Sequence, residues 1–193
     1  MLYFKLLLGI IGTILGFVGL VPYIRDVFSG KTKPHAFSWF VWGIIESIVF
    51  IAQVMNHGGI GSMIAGISAA TSLFIAIVAF SKREVLITAA DWAALILALV
   101  GVILWQVTSN PLLAVIAVTA ADLFGFVPTF RKAFQKPFEE TIVEYEMSAF
   151  KWFVSIFALG AISLTTVLYP VSLIITNGLF VTMVLIRRNR KVS

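Results

Sequence analysis

The sequence contains no cysteine and only two histidines, and charged residues make up 12% of its 193 residues. Without cysteine there are no disulfides and no thiolate metal sites, and two histidines leave little material for a zinc site. We therefore expect no metal and no cofactor. Hydrophobic residues make up 60% of the chain, whereas soluble domains usually have roughly 45–50% apolar and about 25% charged residues. This composition is typical of an integral membrane protein and excludes a soluble enzyme.

Seven apolar stretches of about twenty residues are separated by charged or turn-forming segments. They predict an all-α membrane protein with transmembrane helices over residues 4–24, 36–55, 59–81, 86–107, 111–130, 148–167 and 169–187. The sixth break falls at Leu168, Tyr169 and Pro170 and, unlike the other five, contains almost no polar residue.

The basic residues are distributed very unevenly between the two sides of these spans. If the N-terminus lies outside, thirteen of the fourteen Lys and Arg, Lys151 among them, fall on the cytoplasmic side, and only Lys5 lies outside. The positive-inside rule therefore predicts an outside N-terminus and a cytoplasmic C-terminus in the plasma (inner) membrane. The net charge of +5 is explained by topology, and we expect no nucleic-acid partner. The first apolar run is long and lacks an A-x-A site, which argues against a cleaved signal peptide.

Two pairs of segments repeat along the chain. Gly19–Phe28 matches Gly125–Phe134 in its Gly, Val, Pro, Arg and Phe residues at a constant offset of 106. Ala36–Val41 matches Ala149–Val154 at five of six positions with an offset of 113. The difference between the offsets predicts that the second loop is seven residues longer than the first.

These repeats predict two parallel three-helix repeats, residues 1–85 and 109–193, joined by a linker helix over residues 86–108. Three helices reverse the direction of the chain, so a fourth is needed for both repeats to face the same way. In transporters with such parallel repeats, the substrate site lies between the halves near the middle of the bilayer.

The 3+1+3 plan, the outside N-terminus, and Pro22 and Pro128, each near the cytoplasmic end of a helix and followed by a basic loop, resemble the SWEET and PQ-loop (MtN3-like) transporters. Tyr23 and Thr129 replace the glutamines of the two PQ pairs. The resemblance covers nearly the whole chain through short motifs. It implies transport of a sugar-like or other small polar solute by alternating access, with the prolines as hinges. A plain helix end beside a charged loop is the alternative reading of each proline.

Thr176–Gly178 in the last span resembles the Asn-Gly pair through which SWEETs contact sugar. The equivalent segment of the first repeat is Ala70–Ser72, which has hydroxyls but no asparagine. The resemblance implies a solute site formed by Asn177, Thr71 and Ser72. Alternatively, Asn177 forms a polar contact between helices, as is common in membrane bundles.

Three carboxylates, Glu46, Asp91 and Asp122, fall inside apolar spans. An ionisable group in the membrane costs roughly 2.5–3.5 kcal/mol, so each requires a reason to be there. The bilayer favours the neutral acid of Glu46 and Asp122, which suits coupling to protons or to a cation. The alternative is a carboxyl satisfied by a neighbouring helix. Asp91 lies near the start of the fourth span, where an acid complements the helix dipole.

Trp39, Trp42 and Trp152 follow basic loops and are interpreted as anchors at the membrane interface. The acidic residues of the long loop, Glu139 to Glu146, are interpreted as solvated charges without a site.

The sequence favours a transporter of a small polar solute, with proton coupling left open. The alternative is a non-transporting receptor or sensor on the same fold. A membrane enzyme ranks last because the sequence shows no catalytic constellation based on His, Ser or Cys. The expected partners are the lipid bilayer and the solute. A monomer suffices because both repeats are in one chain, although a homo-oligomer remains open.

Overall fold

The computed structural model describes residues 2–82 and 87–192. The predicted start of the fourth span at residue 86, the boundary after residue 85, and Arg83 in the count of basic residues lie outside this part of the chain. The described residues form seven α-helices: α1 (Leu2–Phe28), α2 (Ala36–Met55), α3 (Ser62–Ser81), α4 (Ala89–Thr108), α5 (Pro111–Gln135), α6 (Ile142–Ala158) and α7 (Leu164–Val192). Single 3₁₀ turns occupy Gly59–Gly61 and Pro137–Glu139.

Six of the seven described helices are long and apolar enough to cross a membrane, which confirms the expectation of an all-helical membrane protein. The exception is α6, which has 17 residues and so lies at the lower limit of a bilayer-spanning length. Among its residues are Glu144, Glu146 and Lys151.

Side chains at the helix starts explain why several predicted boundaries are accurate. The Asn110 Oδ1 accepts a hydrogen bond from the Leu112 N–H at 3.0 Å, and Pro111 occupies the first helical position of α5. At the start of α4, the Thr88 hydroxyl accepts from the Asp91 N–H at 3.3 Å, and the Asp91 carboxylate accepts from the Thr88 N–H at 2.8 Å. Such reciprocal caps satisfy backbone donors that a helix leaves free in its first turn. Asp91 therefore sits at the helix start, as predicted.

The predicted break between the sixth and seventh helices is wrong. The connection is residues 159–163, and Pro170 lies inside α7. Proline has no N–H to donate to the carbonyl four residues earlier, which here belongs to Thr166. The Gln53 amide of α2 donates to that carbonyl at 2.9 Å. The helix tolerates the proline because a neighbouring helix supplies the lost hydrogen bond.

The matched segments of the two repeats do not lie at equivalent positions in their helices. Ala36–Val41 opens α2, whereas Ala149–Val154 begins about two turns inside α6. The connections before the two helices, residues 29–35 and 136–141, have nearly equal lengths. The prediction of a loop seven residues longer is therefore wrong, because the extra residues form the first two turns of α6.

The packing partners of the helices follow a regular order. α3 packs against α1 and α2, and α7 packs against α5 and α6. The two halves of the chain meet where α1 packs along α6 and α2 packs along α5, and α4 lies mainly against α5. Aromatic side chains contribute to this interface; the ring centroids of Tyr23 and Tyr145 are 6.5 Å apart and those of Trp42 and Phe126 are 4.7 Å apart.

The helix termini fall at two ends of the bundle. One end, here the basic end, holds the connections 29–35 and 136–141 and the C-terminus of α7. The opposite end holds residues 56–61, the turn at 109–110 and the connection 159–163. That the basic end faces the cytoplasm remains a prediction from the positive-inside rule.

Gly61 is required for the close approach of the opposite-end connections. A Cβ on Gly61 would lie 2.6 Å from the Leu159 nitrogen and 2.7 Å from the Ala158 carbonyl carbon. These are backbone atoms that cannot rotate away, so we expect Gly61→Ala to destabilise the fold by about 1–3 kcal/mol. Gly178→Ala is the control, since a Cβ there meets no described atom within 4 Å and alanine favours a helix by about 1 kcal/mol. Unfolding in detergent checks this pair; equal losses would contradict the packing argument.

Candidate functional site

A small cavity lies between α2, α3, α5, α6 and α7. Its polar lining consists of Glu46, Thr71, Ser72, Asp122, Glu144, Ser148, Lys151 and Asn177, and its aromatic lining of Trp39, Trp42, Phe126, Tyr145 and Tyr169. The cavity volume is about 30 Å³, which is room for about two water molecules. A metabolite therefore enters only if the helices move apart.

The structure brings together all five residues that the sequence suggested for solute binding and coupling. Glu46, Asp122, Thr71, Ser72 and Asn177 come from four helices and line this one cavity. They lie well inside their helices, away from both ends of the bundle.

Glu46 and Ser72 form a buried pair across α2 and α3. The Ser72 hydroxyl donates to the Glu46 Oε2 at 2.6 Å, and the two residues are 3% and 6% exposed. The neighbouring Thr71 hydroxyl donates to the Ser68 carbonyl of its own helix at 2.8 Å. One oxygen of the Glu46 carboxyl is thus held by α3.

Asp122 is fully buried and only partly satisfied. Its Oδ1 accepts a hydrogen bond from the Tyr169 hydroxyl at 3.4 Å, while its Oδ2 has no partner among the described residues. The Asn177 side-chain amide donates to the Leu173 carbonyl of its own helix at 2.8 Å, rather than to a neighbouring helix. A buried carboxyl oxygen without a partner is costly, so its presence here requires an explanation.

Two residues of the cavity, Glu144 and Lys151, were missed in the sequence. Lys151 was counted as a cytoplasmic cation, which is wrong, because it lies inside α6 and is 6% exposed. Glu144, taken as solvated, is 7% exposed, and its Oε2 has no partner among the described residues. The signal that could have found them is the spacing of Glu144, Ser148 and Lys151 at i, i+4 and i+7, which places three polar residues on one helix face.

Glycines of α1 make room for the charged face of α6. A Cβ on Gly19 would lie 2.6 Å from the Glu144 Oε2 and 3.1 Å from its Cα, and one on Gly16 would lie 3.5 Å from the Lys151 Cδ. The Lys151 ammonium lies 5.7 Å from the centroid of the Trp152 ring. The glycines of α1 therefore leave space for the polar side chains of α6 to be buried inside the bundle.

The interpretation of the tryptophans as interface anchors is wrong. Trp39 and Trp42 are 6% and 5% exposed and line the cavity, and Trp152 is fully buried against the Tyr169 ring at 5.3 Å. The Trp39 indole donates to the Tyr23 hydroxyl at 3.0 Å, whereas the Trp42 Nε1 has no partner among the described residues. These rings are internal because α2 and α6 pack against other helices where the sequence predicts a lipid interface.

Hydrogen bonds between the two halves close the basic end of the cavity. Buried Asp26 on α1 accepts from the Thr141 hydroxyl at 2.8 Å and forms ion pairs with Arg25 and Lys31, each at 3.1 Å. Thr141 also shares a hydrogen bond with Thr32. The connection before α2 is thereby joined to the connection before α6.

A second polar cluster at the basic end surrounds Glu140. Lys132 forms an ion pair with Glu140 at 2.5 Å and donates to the Lys33 carbonyl. The Arg188 guanidinium of α7 donates to the Glu140 carbonyl at 2.6 Å. Burial raises the pKa of the Glu140 carboxyl, and the Lys132 ammonium opposes that shift. The cluster therefore depends on Lys132 for its charge balance.

The opposite end is closed by hydrogen bonds to backbone carbonyls. The Lys5 ammonium donates to the Leu159 carbonyl at 2.6 Å, and the Gly160 N–H donates to the Gly58 carbonyl at 2.8 Å. The bond from Gln53 to α7 lies at the same end. The connection 159–163 of the second half is thus held by helices of the first half.

Pro22 and Pro128 lie inside helices rather than at helix ends. α1 continues beyond Pro22 to Phe28, and α5 continues beyond Pro128 to Gln135. Each proline leaves one carbonyl of its helix without the usual donor. Phe126, two residues before Pro128, lines the cavity, so this weakened turn lies between the cavity and the basic end.

No protein-family model, curated protein or solved structure matches the chain. Residues 2–82 and 87–192 contain no group of three or more His, Asp or Glu placed to hold a metal ion.

Proposed function

We propose that this protein is a membrane transporter that moves a small polar solute by alternating access between two three-helix units. The observation that carries the proposal is the cavity. It combines buried polar groups from both halves of the chain at mid-depth, and hydrogen bonds between the halves close it at both ends.

The packing of the helices supports the 3+1+3 plan of the SWEET and PQ-loop proteins. If α1, α2 and α3 correspond to α5, α6 and α7, each main pair of packed helices has an equivalent pair. The contact of α1 with α6, for example, is equivalent to that of α5 with α2. With the single offset of 106, Thr71 corresponds to Asn177 and Trp39 to Tyr145. Trp39 and Tyr145 meet with ring centroids 6.5 Å apart, as residues near an axis between two repeats would. α4 is then the linker helix.

The two closed ends suggest how access alternates. Breaking the bonds from Thr141 to Asp26 and from Lys132 to the Lys33 carbonyl would separate the units at the basic end. Breaking those of Gln53 and Gly160 would separate them at the opposite end. Pro22 and Pro128 are suited to act as hinges because each removes a hydrogen bond from the helix turn near the basic end. A receptor or sensor on this fold would open at one end only.

Alternating access can be tested without knowing the solute. Because the chain lacks cysteine, a single introduced cysteine is the only thiol that a reagent can label. Ser148→Cys places one thiol in the cavity. In proteoliposomes we expect a membrane-impermeant methanethiosulfonate to label it from either face, since a transporter exposes its cavity to both sides in turn. Lys136→Cys at the basic end and Thr108→Cys at the opposite end, both exposed, report which face the reagent reaches.

Labelling of Ser148→Cys from one face only would favour the receptor and overturn the transport proposal. To exclude a reagent that simply cannot enter, the same measurement is made with Gln53→Ala added, which removes a bond at the opposite end. If neither the wild-type background nor this variant is labelled from the opposite face, that end does not open.

A further inference from the structure

The cavity contains an unequal number of ionisable acids and bases. Its lining includes the carboxyls of Glu46, Asp122 and Glu144 and the ammonium of Lys151. All four residues are at most 7% exposed. Glu46 on α2 is within electrostatic range of the other three, so the four groups form one interacting cluster at the junction of α2, α5 and α6.

Few hydrogen bonds stabilise negative charge on these acids. Glu46 accepts from Ser72 and Asp122 from Tyr169, but the Asp122 Oδ2 and the Glu144 Oε2 have no partner among the described residues. No carboxylate of the described residues lies within 4 Å of the Lys151 ammonium. Two residues of the cavity lining therefore each have a carboxyl oxygen that is free to accept a hydrogen bond.

Charge balance restricts what can enter. Three ionised carboxylates and one ammonium would leave a net charge of −2 in the membrane interior, where an uncompensated charge costs roughly 2.5–3.5 kcal/mol or more. Lys151 balances one carboxylate. The remaining two carboxyls are neutral when each carries a proton, and this proton-loaded form fits a cavity with room for only about two water molecules.

The rest of the lining suits an organic cation. The side chains of Trp39, Trp42, Phe126 and Tyr145 line the cavity, and the face of an aromatic ring attracts an ammonium group by about 2 kcal/mol when both are desolvated. The other titratable groups facing the acids are Tyr145 on α6, Tyr169 on α7 and Tyr23 on α1; α3 contributes the hydroxyls of Thr71 and Ser72. None of these brings a second positive charge.

We propose that the cavity exchanges protons for a small organic cation that carries N–H groups, such as a primary amine. For each positive charge that enters, one of Asp122 and Glu144 releases its proton to water at the open end, and the ammonium N–H groups of the solute then donate to the carboxyl oxygens. No covalent bond of the solute forms or breaks. This inference rests on the proposed transport function and names its substrate class and coupling, because cation and protons occupy the same oxygens and exclude each other.

The test measures proton release when a cation binds to the purified protein in weakly buffered detergent with a pH indicator. The probes are ethanolamine and putrescine, with ethylene glycol and 1,4-butanediol as neutral counterparts of the same length. We expect ethanolamine to bind with release of about one proton and putrescine, a dication, with release of about two, so that the apparent Kd rises about tenfold and about 100-fold, respectively, for each unit by which the pH is lowered. The diols should neither bind nor release protons.

Variants assign the protons to residues. Asp122→Asn and Glu144→Gln each remove one carboxylate that the cation needs, so we expect affinity to fall roughly 30-fold and proton release to decrease. Glu146→Gln on the same helix is the matched control, because Glu146 does not line the cavity. If Asp122→Asn does not fold, Glu144→Gln alone carries the comparison.

Amines that bind without releasing protons, amines that fail to bind, or a diol that binds as well as its amine would each overturn the exchange. None of these results would contradict the transport proposal, which is tested separately by labelling of Ser148→Cys from both faces. Conversely, labelling from one face together with proton release would identify a cation receptor.

Discussion

Lys132→Met is expected to cause the largest loss of stability of any single substitution considered. Lys132 pairs with Glu140 at 2.5 Å, and the two side chains are 20% and 1% exposed. Removing one partner of a buried ion pair leaves an uncompensated charge and typically costs about 3–5 kcal/mol. Denaturation of the protein in detergent would measure this loss.

The same variant should show a distinct pH dependence. Burial raises the pKa of Glu140, and without the Lys132 ammonium it should rise further. A raised pKa means that the folded protein binds the proton more tightly than the unfolded chain does. Stability of Lys132→Met should therefore be greatest below the ordinary pKa of a glutamate and should fall as the pH rises through the raised value.

Two further variants test whether the loss of stability comes from the buried pair of Lys132 and Glu140. Lys132→Met with Glu140→Gln should recover most of the stability and lose the pH dependence, because both members of the pair are then uncharged. Lys136→Met removes a cation whose side chain is 62% exposed and 3.7 Å from Glu139, and such a surface pair contributes only about 0–1 kcal/mol. A loss as large in Lys136→Met as in Lys132→Met would refute the role of burial.

Asp26→Ala is expected to open the basic end of the cavity. Arg25 and Lys31 are 72% and 63% exposed, so their ion pairs with Asp26 contribute little. The buried hydrogen bond from Thr141 to the Asp26 carboxylate joins the two halves and contributes about 1.5–3 kcal/mol. Its loss should shift the population toward the state open at the basic end by about 10- to 100-fold.

Labelling of Ser148→Cys measures that shift directly. In the Asp26→Ala background, the rate from the basic-end face should rise by about 10- to 100-fold, and the rate from the other face should fall, because the two open states compete. Asp26→Asn retains an oxygen that can accept from Thr141 and should have a smaller effect. Equal increases from both faces would mean general loosening of the bundle and would count against alternating access.

Properties of single segments were predictable from the sequence. Hydropathy identified six helices that are long and apolar enough to cross a membrane, and side-chain caps such as that of Asn110 determine where several helices begin. The acids Glu46 and Asp122 stood out because each interrupts a long apolar run. Thr71 and Asn177 were suggested by a resemblance that no comparison tests, although both line the cavity.

The rest of the cavity depends on contacts between distant parts of the chain. Glu144 and Lys151 belong to a segment whose charged residues are typical of an exposed loop. They lie inside the bundle because Gly16 and Gly19 of α1 leave space for them. The connection between α6 and α7 is likewise displaced from Pro170, because Gln53 donates to the carbonyl that the proline leaves free.

Which segments are apolar enough to leave water can be read from the amino-acid sequence, because transfer into a bilayer depends on the composition of each segment alone. Which polar side chains lie near one another depends instead on how the helices pack. α1 and α6 are more than a hundred residues apart in the chain, and their packing buries Lys151 within electrostatic range of Glu46 and Glu144. Local hydropathy contains no information about that pairing.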